Sequence, residues 1–177
     1  MAGGLVVKSP GGPEAMAWAE LPTPEPGPGE VALAHTAVGV NFLDVYFRSG
    51  LYPWPDGPMI PGAEASGVVE KVGADVTDLK PGDQVAYVLP HGAYREQRVV
   101  PAERLVPLPA GIDPVAIAGA MLKGLTAQYL VTSSYPVQAG DTVLVHAAAG
   151  GVGLILGQWL HALGARAIGT AGGPEKV

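Results

Sequence analysis

The sequence predicts a small, partly open β-barrel followed by the start of a parallel α/β unit. Three observations predict it. Short β-rich segments punctuated by Gly and Pro occupy the chain up to about Pro109. The texture turns helical after Pro114. A strand, a glycine turn, a helix and a second strand then follow in the order that opens a βαβ unit. With 26 Gly and 18 Pro in 177 residues, a helical bundle is excluded. A hydrophobic share of 48% against 15% charged excludes a disordered chain.

The elements follow in order. Residues 5–7, 31–40, 67–72, 84–89 and 96–100 read as strands, separated by turn signals such as Pro10-Gly11-Gly12-Pro13 and Pro81-Gly82-Asp83. The Pro-rich run from Pro22 to Gly29 is expected as an extended surface crossing. One short helix interrupts the strands. Asn41 is a good N-cap, Asp44 three residues on gives a capping-box pair, Asp44 and Arg48 stand at i,i+4, and Gly50 stops the helix. A helix is expected over 115–131, strands over 142–146 and 166–170, and between them a helix over 151–163 ended by Gly164.

Composition removes several functions. A net charge of -6 without any basic run argues against nucleic acid and anionic membrane surfaces. The absence of cysteine excludes disulfides, thiolate nucleophiles and cysteine-ligated metals. The first residues lack the pattern of a signal peptide, so a cytoplasmic protein is expected. Residues 142–165 carry no Asp, Glu, Lys or Arg and match a membrane span in length. Five glycines, two histidines and a change of pattern at Gly150-Gly151 favour a buried strand–turn–helix there instead.

The most informative motif is the run from Ala147 to Gly153, an A-x-G-x-x-G variant of the dinucleotide fingerprint after an uncharged strand. Gly150 is expected to let backbone approach a pyrophosphate, and Gly153 to let helix and strand pack closely. The free N–H groups of the helix would face the phosphates. No acid stands at Thr170-Ala171-Gly172-Gly173, where an NAD ribose would want one, and Lys176 is placed to pair with a 2′-phosphate. NADPH is therefore expected over NADH.

The segments 41–53, 121–130 and 145–153 resemble the bacterial NADPH:quinone oxidoreductases, the zinc-independent, ζ-crystallin-like branch of the medium-chain dehydrogenase/reductase superfamily. The resemblance implies a GroES-like, partly open β-barrel catalytic domain over 1–124. An incomplete, Rossmann-type parallel α/β domain follows over 125–177, with the active site in the cleft between them. It implies that Asn41, Phe42 and Tyr46 face the nicotinamide end of the cofactor, with Tyr52 at the substrate mouth. Asn41, Tyr46 and Tyr52 become the expected catalytic group. Thr126, Tyr129, Gly150, Gly151 and Val152 are expected along the middle of the cofactor, and Gly172, Gly173 and Lys176 at the 2′-phosphate.

Zinc-dependent relatives carry Cys where Asn41 stands and Gly-His-Glu where this chain has Gly62-Ala63-Glu64, and His35, His91, His146 and His161 lack ligand spacing. No metal is expected. Without a Lewis acid, hydride transfer to an electron-poor quinone is the leading expectation, with Asn41, Tyr46 or Tyr52 donating to the developing oxyanion. An NADPH-dependent enone or activated-alkene reductase is the alternative within enzymes, and a non-catalytic, crystallin-like binding module the alternative outside them. The resemblance also implies a longer, homodimeric polypeptide. The 177-residue chain by itself is expected to be inactive.

Overall fold

The computed structural model describes residues 1–23, 25–54 and 56–176. Pro24, inside the expected Pro-rich crossing, and Val177 lie outside the described residues. The chain divides into two compact units, Met1–Met121 and Leu122–Val177.

The first unit is built from antiparallel strands. A hairpin pairs β1 (Ala2–Val7) with β2 (Met16–Leu21). β3 (Glu30–Gly39), the short helix α1 (Phe42–Arg48), β4 (Glu64–Val72), β5 (Gln84–Val88), β6 (Gln97–Pro101) and β7 (Val106–Pro107) follow. The five later strands form one sheet in the order β6-β3-β4-β5-β7. That sheet does not close on itself; single bridges, Gly4 to Arg95 and Val7 to Met59, tie the hairpin to the rest. The expected partly open barrel is therefore an arrangement of open sheets. β2 and β7 escape a reading of the sequence, because Ala17, Glu20 and Pro107 dilute the β-branched pattern.

Residues two apart on the strands share one core, and neighbours between them such as Ala32, Ser66 and Ala86 are buried as well. Val31, Leu33, Ala65, Val69, Val85, Tyr87 and Val100 are fully or almost fully buried in one cluster, each Val or Leu side chain contributing roughly 1.5–3 kcal/mol. Tyr87 keeps its hydroxyl satisfied inside this core. Arg98 Nη1 donates to Tyr87 Oη at 3.2 Å, and Tyr87 Oη lies 2.9 Å from His35 Nε2. His35 Nδ1 lies 2.6 Å from Arg95 O, which can only accept. The proton therefore sits on Nδ1 and Nε2 accepts from Tyr87, which fits a neutral imidazole. Burial is the main cause that lowers the His35 pKa to about 4, with the Arg98 and Arg95 guanidiniums acting in the same sense.

Helix α2 (Pro114–Tyr129) leads into a wider π turn over Leu130–Ser134. Together they form one stretch, Pro114–Ser134, long and apolar enough by length and composition to cross a membrane. In the second unit its later residues Ala127 and Val131 are buried in a core with Val137, Val145, Leu156 and Leu160. β8 (Thr142–Val145), α3 (Gly151–Ala162) and β9 (Arg166–Gly169) complete that unit, and β8 and β9 pair in parallel from Thr142–Arg166 to Val145–Gly169. Gly164, at φ +75°, ends α3 as the sequence predicts. The uncharged run over 142–165 is thus a strand, a turn and a helix.

Candidate dinucleotide site

The turn between β8 and α3 is closed by Gly150 N–H donating to Ala147 O at 2.8 Å. Ala147 takes the left-handed conformation, φ +53°, which costs an L-residue on the order of 1 kcal/mol. The sequence reading placed the demand for freedom on the glycines; the backbone places this strain on an alanine. Ala148 N–H donates to Thr170 O at 2.9 Å, and His146 Nδ1 lies 3.1 Å from Thr170 Oγ1, so the ends of β8 and β9 are held side by side.

Gly153 meets its expected role. A Cβ there would lie 2.5 Å from Ala147 O and 2.6 Å from Ala148 Cα, backbone atoms that cannot swing aside. Only glycine lets α3 start this close to the strand end. The first intrahelical bond runs from Leu154 N–H to Gly150 O at 2.9 Å. The Gly151, Val152 and Gly153 N–H groups have no acceptor among the described residues. They stand at the positive end of the helix, the arrangement that receives a phosphate. A cavity of about 780 Å³ adjoins this turn, with Leu130, Tyr135, Val143 and Gly150 among its walls.

The remaining expected cofactor residues of this unit are spread around the turn. Thr126 donates its hydroxyl back to Leu122 O at 2.8 Å, the habit of a helical threonine. Tyr129 is exposed on the last turn of α2. Gly172, Gly173 and Lys176 follow β9 and are on the surface or close to it, with Lys176 N–H closing a 3₁₀ turn onto Gly173 O at 3.0 Å. Two neighbours were missed by sequence reasoning. Glu175 folds its carboxylate back over Gly173, 2.5 Å from where a Cβ would stand, so an acid does accompany Lys176. The stem of Lys123 lies over the start of α3, its Cδ 2.8 Å from a Cβ built on Gly151. Lys123 had a signal of its own: it is the one charged residue between Asp113 and Asp141.

In the first unit, the structure brings Asn41, Phe42, Tyr46 and Tyr52 together around α1. Asn41 caps the helix, and Asp44 Oδ2 accepts its backbone N–H at 2.8 Å in the expected capping box. Tyr94 Oη donates to the same carboxylate oxygen at 2.8 Å; burial first, and then this carboxylate, push the Tyr94 pKa upward. Phe42, Tyr46 and Tyr52 form an exposed aromatic run, with ring centroids 6.4 Å apart for Phe42 and Tyr46 and 5.4 Å for Tyr46 and Tyr52. Phe47 stands edge-on to both Tyr52 and His91, and burial lowers the His91 pKa. Among the described residues, no group of three or more His, Cys, Asp or Glu is disposed to hold a metal.

Comparisons with known proteins agree with this geometry. Residues 27–110 match the model of the alcohol dehydrogenase GroES-like domain. A quinone oxidoreductase from Pseudomonas aeruginosa is 52% identical over 168 residues, 94% of this chain and 52% of the relative. A 2-haloacrylate reductase from a Burkholderia species is 48% identical over 97% of this chain and 54% of its own length. The chain thus spans about half the length of these relatives. Among solved structures, quinone oxidoreductase from Pseudomonas syringae pv. tomato superposes with a TM-score of 0.95 at 48% identity, over 99% of this chain and 55% of that one. The Escherichia coli quinone oxidoreductase complexed with NADPH gives 0.93 at 41% identity, over 99% and 54%. By sequence and by fold, the chain is similar over nearly its whole length to quinone oxidoreductases, about half of whose length it spans, and residues 27–110 carry the GroES-like domain.

Proposed function

We propose that the chain serves an NADPH-dependent oxidoreductase that passes hydride to a quinone without zinc. The observation that carries this reading is the unspent N–H triad of Gly151, Val152 and Gly153 at the close-packed start of α3, in a chain 52% identical to a quinone oxidoreductase. A diphosphate fits there because its charge meets the helix terminus and no side chain projects from Gly150 or Gly151. Bound NADPH would supply the hydride. Lys176 would meet the 2′-phosphate, with Thr126, Tyr129, Gly172 and Gly173 beside the nucleotide.

Asn41, Phe42, Tyr46 and Tyr52 would meet the nicotinamide and the acceptor. The exposed hydroxyls of Tyr46 and Tyr52 are donors suited to the oxygen that gains charge as a quinone is reduced. Positioning would supply most of the acceleration, since a quinone is already electron-poor. A reductase of activated alkenes using the same nucleotide is the second reading, favoured by the 48% identity to 2-haloacrylate reductase. We assign the protein to the cytoplasm and, in its complete form, to a homodimer.

Titration of NADPH fluorescence with the chain tests the assignment. Saturable binding, with NADH at least about tenfold weaker, is the expected result. No saturable binding would overturn it. Oxidation of NADPH by a quinone compared with an enone, measured on the longer polypeptide, separates the two acceptor classes.

A further inference from the structure

Glu64, the first residue of β4, is fully buried, and its place is fixed by sheet register. It pairs directly with Gly39 at the end of β3. A Cβ on Gly39 would lie 2.4 Å from Glu64 Cγ and Oε1, and 2.2 Å from Ala118 O. The glycine therefore leaves the space that the carboxyl group occupies. From there Glu64 Oε1 accepts a hydrogen bond from Asn41 Nδ2 at 2.8 Å, across 23 residues of sequence.

An asparagine amide has a donor end and an acceptor end of nearly the same shape, so only its partners decide which way it faces. Asn41 donates through Nδ2 to Glu64 Oε1, so its NH2 end faces β4. On the other side the capping box joins Asn41 to Asp44, the Asn41 side chain accepting from the Asp44 backbone N–H and Asp44 Oδ2 accepting from the Asn41 backbone N–H at 2.8 Å. With Glu64 fully buried and Asn41 half-buried, the bond lies largely out of solvent.

We infer that Glu64 is a positioning residue that locks the Asn41 amide with its NH2 turned inward, so that one of its two N–H donors is spent before any ligand arrives. The inference rests on the proposed function only for what Asn41 faces. It shifts the developing oxyanion onto the hydroxyls of Tyr46 and Tyr52. The Glu64–Asn41 bond itself stands on the geometry alone.

Two substitutions of similar length separate the bond from the packing. E64Q keeps an oxygen acceptor, whereas E64M fills the same space without one. The side-chain ¹⁵N–¹H₂ signals of Asn41 report the bond in the absence of nucleotide. In the unsubstituted chain and in E64Q, one of the two protons should be shifted downfield and slow to exchange; in E64M both should resemble a solvated amide. NADPH titration gives the second readout. E64M should weaken binding about tenfold, N41A by a similar factor, and the double variant no further, with E64Q within about threefold of the parent. An unchanged Asn41 amide in E64M overturns the lock. A changed amide with unchanged NADPH affinity overturns its part in nucleotide binding. If the unsubstituted chain fails to bind NADPH, the proposed function falls, and the amide signals still decide the lock.

Discussion

Gly153 and Gly157 lie one turn apart on α3, and alanine at the two positions should act with opposite sign. In an open helix interior, Gly→Ala gains roughly 0.5–1 kcal/mol through lower unfolded-state entropy and better propensity. Gly157 meets that condition, since a Cβ there has nothing within 4 Å. At Gly153 the same methyl would lie 2.5 Å from Ala147 O and 2.6 Å from both Ala148 Cα and Ala148 O. Restoring ordinary contact requires α3 to withdraw from the end of β8 by roughly 0.5–1 Å, an overpacking cost of about 2–3 kcal/mol. The net expectation for G153A is a loss of about 1–2 kcal/mol against a gain of up to about 1 for G157A. Urea unfolding followed by circular dichroism measures both. NADPH affinity should fall only in G153A, because the N–H triad moves with the helix start. If G153A proves as stable as G157A and binds nucleotide as well, the close approach at the turn is not what glycine is there for.

Three further outcomes are expected. The folded-state pKa of His35, about 4, lies below its ordinary 6.5, so the fold favours the neutral ring; the associated stability is complete above pH 6.5 and drains as pH falls toward 4, by on the order of 3 kcal/mol at most. Unfolding curves at pH 7.5 and 4.5 check this, and Y87F, which removes the hydroxyl donor to Nε2, should move the His35 NMR titration upward. K176A should weaken NADPH about three- to tenfold while leaving NADH unchanged; an equal loss for both would remove Lys176 from the 2′-phosphate. L33A, at a fully buried position of β3, should cost about 3 kcal/mol, read as a lower urea midpoint with an unchanged slope.

Wherever a signal was local, the sequence carried it. The Asn41–Asp44 cap, the Gly50 and Gly164 stops, and the order of β8, α3 and β9 are short-range consequences of propensity, capping and glycine geometry. The fingerprint from Ala147 to Gly153 belongs with them, since its strand and helix lie immediately on either side. Strands β2 and β7 were not legible, because their pairing with β1 and β5 is decided by partners and not by their own residues.

The sequence by itself determined that a glycine turn of the dinucleotide type opens α3 and that cysteine chemistry is absent, because both are properties of adjacent residues or of composition. Only the tertiary structure decided which groups that turn leaves free, since Ala148 N–H is spent on Thr170 across the sheet while Gly151, Val152 and Gly153 have no such partner among the described residues. It alone joined Asn41 to Glu64, Tyr94 to Asp44 and His35 to Tyr87. The physical reason is distance along the chain: these bonds span 23 to 52 residues, and sheet register, fixed by which face each strand buries, is what brings their ends within hydrogen-bond reach.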